Sequence, residues 1–98
     1  MATFISTLKF TDQGIQNIKD TCERADAFKA AAETLGANVR DVYWTQGPFD
    51  GVAIFDAADD ETATALMLQV GSKGSVQTQT SRAFQAAEMQ SILDKLPG

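Results

Sequence analysis

Histidine does not occur in this 98-residue chain, and cysteine occurs once, at Cys22. The first absence removes the usual protein ligand of zinc and haem iron, together with the side chain that most often serves as a general base near neutral pH. A transition-metal site would have to be built almost wholly from carboxylates, and no clustered spacing of Asp or Glu suggests one. No metal and no cofactor are therefore expected. A single thiol cannot close an internal disulfide, which fits a reducing compartment. Positive charge is also scarce: eight Lys and Arg stand against thirteen Asp and Glu, for a net charge of -5. The basic residues are scattered, so no contiguous basic face is available to displace phosphate counterions, which argues against nucleic acid and anionic membrane as partners. No apolar run approaches the roughly 18 residues needed to span a bilayer, and Met1 to Ser6 has no basic stretch before an apolar one. The expected location is cytoplasmic.

What is present reads as one globular domain over residues 1–98. Hydrophobic residues make up 44% and charged residues 21%, close to the average for folded proteins and far from the composition of disorder. Thr3 to Phe10 is rich in β-branched and aromatic types, with Phe4, Leu8 and Phe10 on one face, and predicts a strand. The period then changes. Thr11 or Asp12 can cap a helix, and apolar residues at Ile15, Ile18, Cys22, Ala25, Phe28, Ala32 and Leu35 recur at spacings of three and four. This predicts one long amphipathic helix, with a weak point near Thr21 and Gly36 as its left-handed cap.

Val39 to Thr45 and Gly51 to Ala57 predict two strands joined by a tight turn at Gln46-Gly47-Pro48-Phe49. Asp59, Asp60 and Glu61 suit the positive end of a second helix, whose inward face would be Ala63, Leu66, Met67 and Val70. Gly71 to Gly74 stops it, and Val76 to Phe84 alternates as an unusually polar fourth strand. A short final helix, with Met89, Ile92, Leu93 and Leu96 inward, ends before Pro97. The order is βαββαβ plus a terminal helix. It predicts an α+β, ferredoxin-like fold in which one antiparallel sheet carries its helices on one face. In the third strand Val52 and Ile54 point one way and Ala53 and Phe55 the other, so both faces are apolar. A sheet face left in water usually alternates with polar residues. A second copy of the chain is therefore expected to cover the free face, as a homodimer packed sheet to sheet.

Four blocks, in order along nearly the whole chain, resemble the GYD-domain family. They are Thr11 to Gly14, Tyr43 to Asp50, Ala57 to Glu61, and Gly74 to Val76 running through Arg82-Ala83-Phe84. The signature Gly, any residue, aromatic, Asp is met by Gly47, Pro48, Phe49 and Asp50, with Phe49 in the aromatic place. The resemblance implies a ferredoxin-like fold similar to the dimeric α/β-barrel proteins. It does not supply an activity.

The residue types that could carry chemistry are few. Lys9 and Arg82, with Thr78 and Thr80, would form a cationic spot if neighbouring strands placed them on one face; otherwise Arg82 is expected to pair with Asp56 or Asp50. Trp44 and Tyr43 offer an aromatic wall, or an interface anchor. Asp50 is expected chiefly to accept hydrogen bonds from backbone N–H groups of its turn. Cys22 is expected to face the core or its edge rather than act as a nucleophile. Gly71 to Gly74 lacks the strand-loop-helix order of a phosphate-binding loop. The favoured reading is an oligomeric domain that binds a small organic compound, anionic or aromatic, near Lys9, Tyr43, Trp44, Asp50 and Arg82. One alternative is a cofactor-independent oxygenase or isomerase using Asp50, Asp56, Tyr43 or Lys9 as base. The other is an assembly or interaction module without a ligand.

Overall fold

A computed structural model describes residues 1–98. Nine elements follow one another: β1 (Ala2–Phe10), α1 (Asp12–Gln16), a single 3-10 turn (Ile18–Asp20), α2 (Thr21–Thr34), β2 (Asn38–Trp44), β3 (Gly51–Ala57), α3 (Asp60–Ser72), β4 (Val76–Ala83) and α4 (Ala86–Leu93). The sheet has the order β2-β3-β1-β4 and every pairing is antiparallel. This is the expected ferredoxin-like arrangement.

The core lies between the sheet and the helices. Along β3 alternate residues Gly51, Ala53, Phe55 and Ala57 are buried, while Val52, Ile54 and Asp56 are half-buried on the other face. Phe55 stacks on Phe4 at 5.5 Å between ring centroids and meets Phe28 of α2 edge-on at 6.3 Å. Such pairs add directional attraction to the burial of their area. Leu66 and Ala63 of α3 and Ala32 of α2 complete this cluster. The opposite face carries a narrow apolar strip, Ile5 beside Ile54 and Tyr43 beside Val52. Thr7, Lys9 and the ion pair Arg40 to Asp56 (3.4 Å) flank it.

Local signals explain most boundaries. Thr11 caps α1 by accepting from the Gly14 N–H at 3.1 Å, and Asp59 caps α3 by accepting from the Thr62 N–H at 2.8 Å. The Thr62 side chain first, and then its N–H, hold the Asp59 carboxyl below its usual range. α2 ends in a Schellman motif: the Ala37 N–H returns to the Ala32 carbonyl at 2.8 Å, around Gly36 at φ 76°.

Three expectations need correction. The long helix is broken at Asn17 to Asp20, where the Asn17 carbonyl accepts from the Asp20 N–H at 3.0 Å in a 3-10 turn and from Arg24 Nη1 at 2.8 Å, in place of the α-helical ladder. The break rotates the first turn away from the sheet, so Ile15 and Ile18 are exposed, and Cys22 is exposed with them. The third correction concerns α4. Its apolar residues Met89, Ile92 and Leu93, and Leu96 just beyond its end, do not face this chain's core but are 36% to 65% exposed. A capping box between Gln85 and Glu88 sets the start of the helix, and Arg82 of β4 holds it through Glu88 at 3.1 Å.

Candidate functional site

A cleft opens between the sheet and α2, and its cause is visible in the composition of the helix. Among the residues that α2 turns toward it, Ala25, Ala27 and Ala31 offer only methyl groups, and Phe28 is the one large apolar side chain. Alanines over a twisted sheet cannot fill the space that larger side chains would. The result is a cavity of about 410 Å³, floored by Leu8, Phe10, Val42, Gly51, Ala53 and Val76, and bordered by Val70 of α3 and by Lys73, which follows that helix. Its size is within the range of small-molecule sites, and its lining is mostly apolar with a few polar groups.

Three of the five residues singled out from the sequence border this cleft: Tyr43, Trp44 and Asp50. The Trp44 indole donates from Nε1 to Thr21 Oγ1 at 2.9 Å, tying the edge strand β2 to the start of α2 and closing one side. Asp50 Oδ2 accepts from the Phe10 N–H at 2.8 Å, while its own N–H donates to the Leu8 carbonyl at 2.8 Å. Its partner is thus the end of β1 rather than the turn itself. Tyr43 pairs with Val52, so strand alternation directs its ring to the open sheet face.

Lys9 and Arg82 lie elsewhere, and apart from each other. Arg82 is the register partner of Phe4, on the helix side, with Thr78 and Thr80; Lys9 pairs with Gln77 on the open side. The proposed cationic spot does not form, because Lys9 differs in strand parity from Phe4. Lys9 Nζ donates to the Pro48 carbonyl at 3.2 Å, beside a smaller hollow with Thr7, Phe49 and Gln79. Arg82 pairs with Glu88 at 3.1 Å instead of Asp56 or Asp50. It also lies against the rings of Phe84 (4.6 Å) and Phe4 (5.9 Å) and donates to the Thr3 and Ala83 carbonyls. These contacts make it a strut between the sheet and α4. The Gln85 N–H and then the Arg82 guanidinium hold the Glu88 carboxyl below its usual range.

Sequence reasoning missed Arg24, Gln69, Lys73 and Ser75, which also line the cleft. Hydrogen bonds from Thr11 and Gln13 to the loop after α3 set the backbone around Lys73 beside the start of α1. Thr11 N–H donates to the Ser75 carbonyl at 3.1 Å, Thr11 Oγ1 donates to the Gly74 carbonyl, and Gln13 Nε2 donates to the Lys73 carbonyl at 3.1 Å. Arg24 Nη2 reaches the Gly14 carbonyl at 3.4 Å on the same junction. The alanine spacing of α2 was the one signal that could have announced the cavity. No group of three or more Cys, Asp or Glu converges in the fold to hold a metal ion, and no helix is long and apolar enough to cross a membrane.

Comparison with known proteins places this geometry among relatives. The GYD domain model matches residues 4–93. A glutamine synthetase and cystathionine beta-lyase binding protein of Thermus thermophilus is 33% identical over 90 residues, 91% of this chain and 95% of that protein. A solved structure from Thermus thermophilus is 27% identical, with a TM-score of 0.57 over 88% of this chain and 96% of the other. A feast or famine regulatory protein from M. tuberculosis, solved with L-methionine, reaches a TM-score of 0.67 at 13% identity. That likeness is one of fold, and it covers 88% of this chain and 52% of the regulatory protein.

Proposed function

This chain belongs to the GYD-domain family, and on that footing we propose that it is a small-molecule-binding domain whose site is the cleft between the sheet and α2. The observation that carries the reading is the cavity of about 410 Å³, an apolar hollow that the chain's own alanines leave unfilled. The ligand is a small organic compound with an apolar or aromatic body, lying near Trp44 and Asp50. Of the residues marked in the sequence, Tyr43 belongs at the rim, and Lys9 and Arg82 act outside the cleft. Ala25→Leu provides the test, since it adds three carbons to the cleft wall on a half-exposed helix position. A thermal-shift screen of metabolites should give hits with the wild-type chain that the filled variant loses, because a ligand that binds only the folded form raises its melting temperature. Hits that survive in Ala25→Leu would remove the cleft from the account.

We propose further that the domain works as a homodimer in the cytoplasm. A compact monomer of 10.5 kDa is expected to expose about 5,400 Å², whereas this chain exposes 6518 Å². The excess of roughly 1,100 Å² exceeds the ~800 Å² that each partner buries in a standard interface. Its radius of gyration, 14.9 Å, likewise exceeds the ~13 Å of a compact chain of this length. The open strip of Ile5, Val52 and Ile54 and the stripe on α4 supply the apolar part of that surface. The exposed free thiol of Cys22 agrees with a reducing compartment. Sedimentation equilibrium showing a monomer at micromolar concentration would overturn the dimer.

A second reading is favoured by the 33% identical Thermus relative: association with glutamine synthetase or cystathionine beta-lyase. It is tested by calorimetric titration of this chain into each enzyme. No heat of binding with either would set it aside.

A further inference from the structure

The cleft differs in sign from the rest of the molecule. The chain carries a net charge of -5, yet the cleft is lined by two cations, Arg24 and Lys73, against one carboxylate, Asp50. That carboxylate is already engaged by the Phe10 N–H at 2.8 Å. Neither cation meets a carboxylate, because the two ion pairs of the fold are Arg40 with Asp56 and Arg82 with Glu88. Arg24 spends its donors on the carbonyls of Asn17 (2.8 Å) and Gly14 (3.4 Å), which orient the guanidinium and leave its charge uncompensated. The Lys73 ammonium makes no hydrogen bond or ion pair within the chain, although its own carbonyl is held by Gln13 at 3.1 Å. Arg24 and Lys73 both border the cleft close to where α1 meets the loop from α3 to β4, so this end carries two cations beside the single, hydrogen-bonded carboxylate of Asp50.

Resting on the cleft as a ligand site, we propose that its ligand is an amphipathic anion: an apolar or aromatic body ended by a single carboxylate or sulfonate. The body lies against Phe28, Val42, Trp44 and Ala53, and the anion lies toward Lys73 and Arg24. An anion desolvated in such a setting gains from a charge-assisted hydrogen bond that a neutral analogue cannot make. Lys73 is the freer of the two cations and supplies that bond. The proposal moves the charge recognition away from Lys9 and Arg82, whose surroundings are already satisfied.

Two fluorescent probes with the same anilinonaphthalene body separate the alternatives: 8-anilinonaphthalene-1-sulfonate, an anion, and N-phenyl-1-naphthylamine, which is neutral. Each is titrated into the wild-type chain, Lys73→Met and Ala25→Leu. The anion should bind the wild type about tenfold more tightly than the neutral probe, the ratio expected of one charge-assisted bond. Lys73→Met should lose most of that ratio while keeping its affinity for the neutral probe, and Ala25→Leu should weaken both probes. Equal affinity of both probes for the wild type, or an unchanged ratio in Lys73→Met, overturns the anion assignment and leaves the cleft standing. Failure of both probes to bind, or equal binding by Ala25→Leu, overturns the cleft itself.

Discussion

Gly14→Ala puts the joint between α1 and the loop from α3 to β4 to a quantitative test. A Cβ at Gly14 would fall far inside van der Waals contact with the Ser75 carbonyl oxygen and also press on the Ser75 carbonyl carbon at 3.1 Å. The obstacle is backbone, not the tip of a flexible side chain, so relief requires moving the loop. That movement strains the bond from the Thr11 N–H to the same Ser75 oxygen at 3.1 Å, and with it the bond from Thr11 Oγ1 to Gly74. Overpacking of this kind costs about 1–3 kcal/mol, a strained hydrogen bond about 1 kcal/mol more, and the better helix propensity of alanine returns about 1 kcal/mol. The net expectation is a loss of about 1–3 kcal/mol, or about 5–20 °C in melting temperature for a domain of this length. Gly71→Ala is the matched control: the position is helical, and a Cβ there meets nothing within 4 Å. It should stabilise by about 0.4–1 kcal/mol. Calorimetry of both variants at one protomer concentration decides the matter. A Gly14→Ala chain as stable as the wild type would refute the geometry of this joint.

Other outcomes follow from the same structure. Phe55→Ala removes the ring shared by Phe4 and Phe28 and should cost about 3–5 kcal/mol by urea denaturation, a large part of the ~5–15 kcal/mol that holds a domain together. Glu88 has a carboxyl held below its usual value of 4.5 in the folded chain, so its contribution is complete above pH 4.5 and is lost as the pH falls through the lowered value. Glu88→Gln should therefore be less stable than the wild type at neutral pH and converge with it in acid; a constant gap across an acid titration would contradict this. Ile54→Asp on the open sheet face should weaken self-association at least ~100-fold, since an unpaired buried carboxylate costs about 3 kcal/mol or more. Sedimentation equilibrium reads this directly.

The strands, the Gly36 cap and the turn at Gln46 to Phe49 were legible in the sequence because each rests on local chemistry. The alternation of Val52 and Ile54 with Ala53 and Phe55 needs only the two-residue period of a strand. The relation of Lys9 to Arg82 was not legible, because it depends on which residue of β4 faces Phe4, and a shift of one residue exchanges the two faces. A weak point near Thr21 was legible, but the site of the break just before it was not, because a guanidinium seven residues along the chain holds the Asn17 carbonyl. The outward position of α4 was hidden for a different reason: the spacing of Met89, Ile92, Leu93 and Leu96 marks an apolar stripe without saying whose surface it meets. At the site, Trp44 and Asp50 were marked by residue type. Lys73 was not, since only the folded loop brings it to the cleft that the alanines of α2 leave open.

The place of β1 in the sheet also bears on how the polypeptide is made. Of the four strands of this sheet it is the first to leave the ribosome, yet both of its neighbours come later: Ala57 pairs with Ala2, and Ala83 pairs with Thr3. Until β4 has emerged, one flank of β1 has no hydrogen-bonding companion, and nascent or prematurely terminated chains carry that raw edge, a template for aggregation.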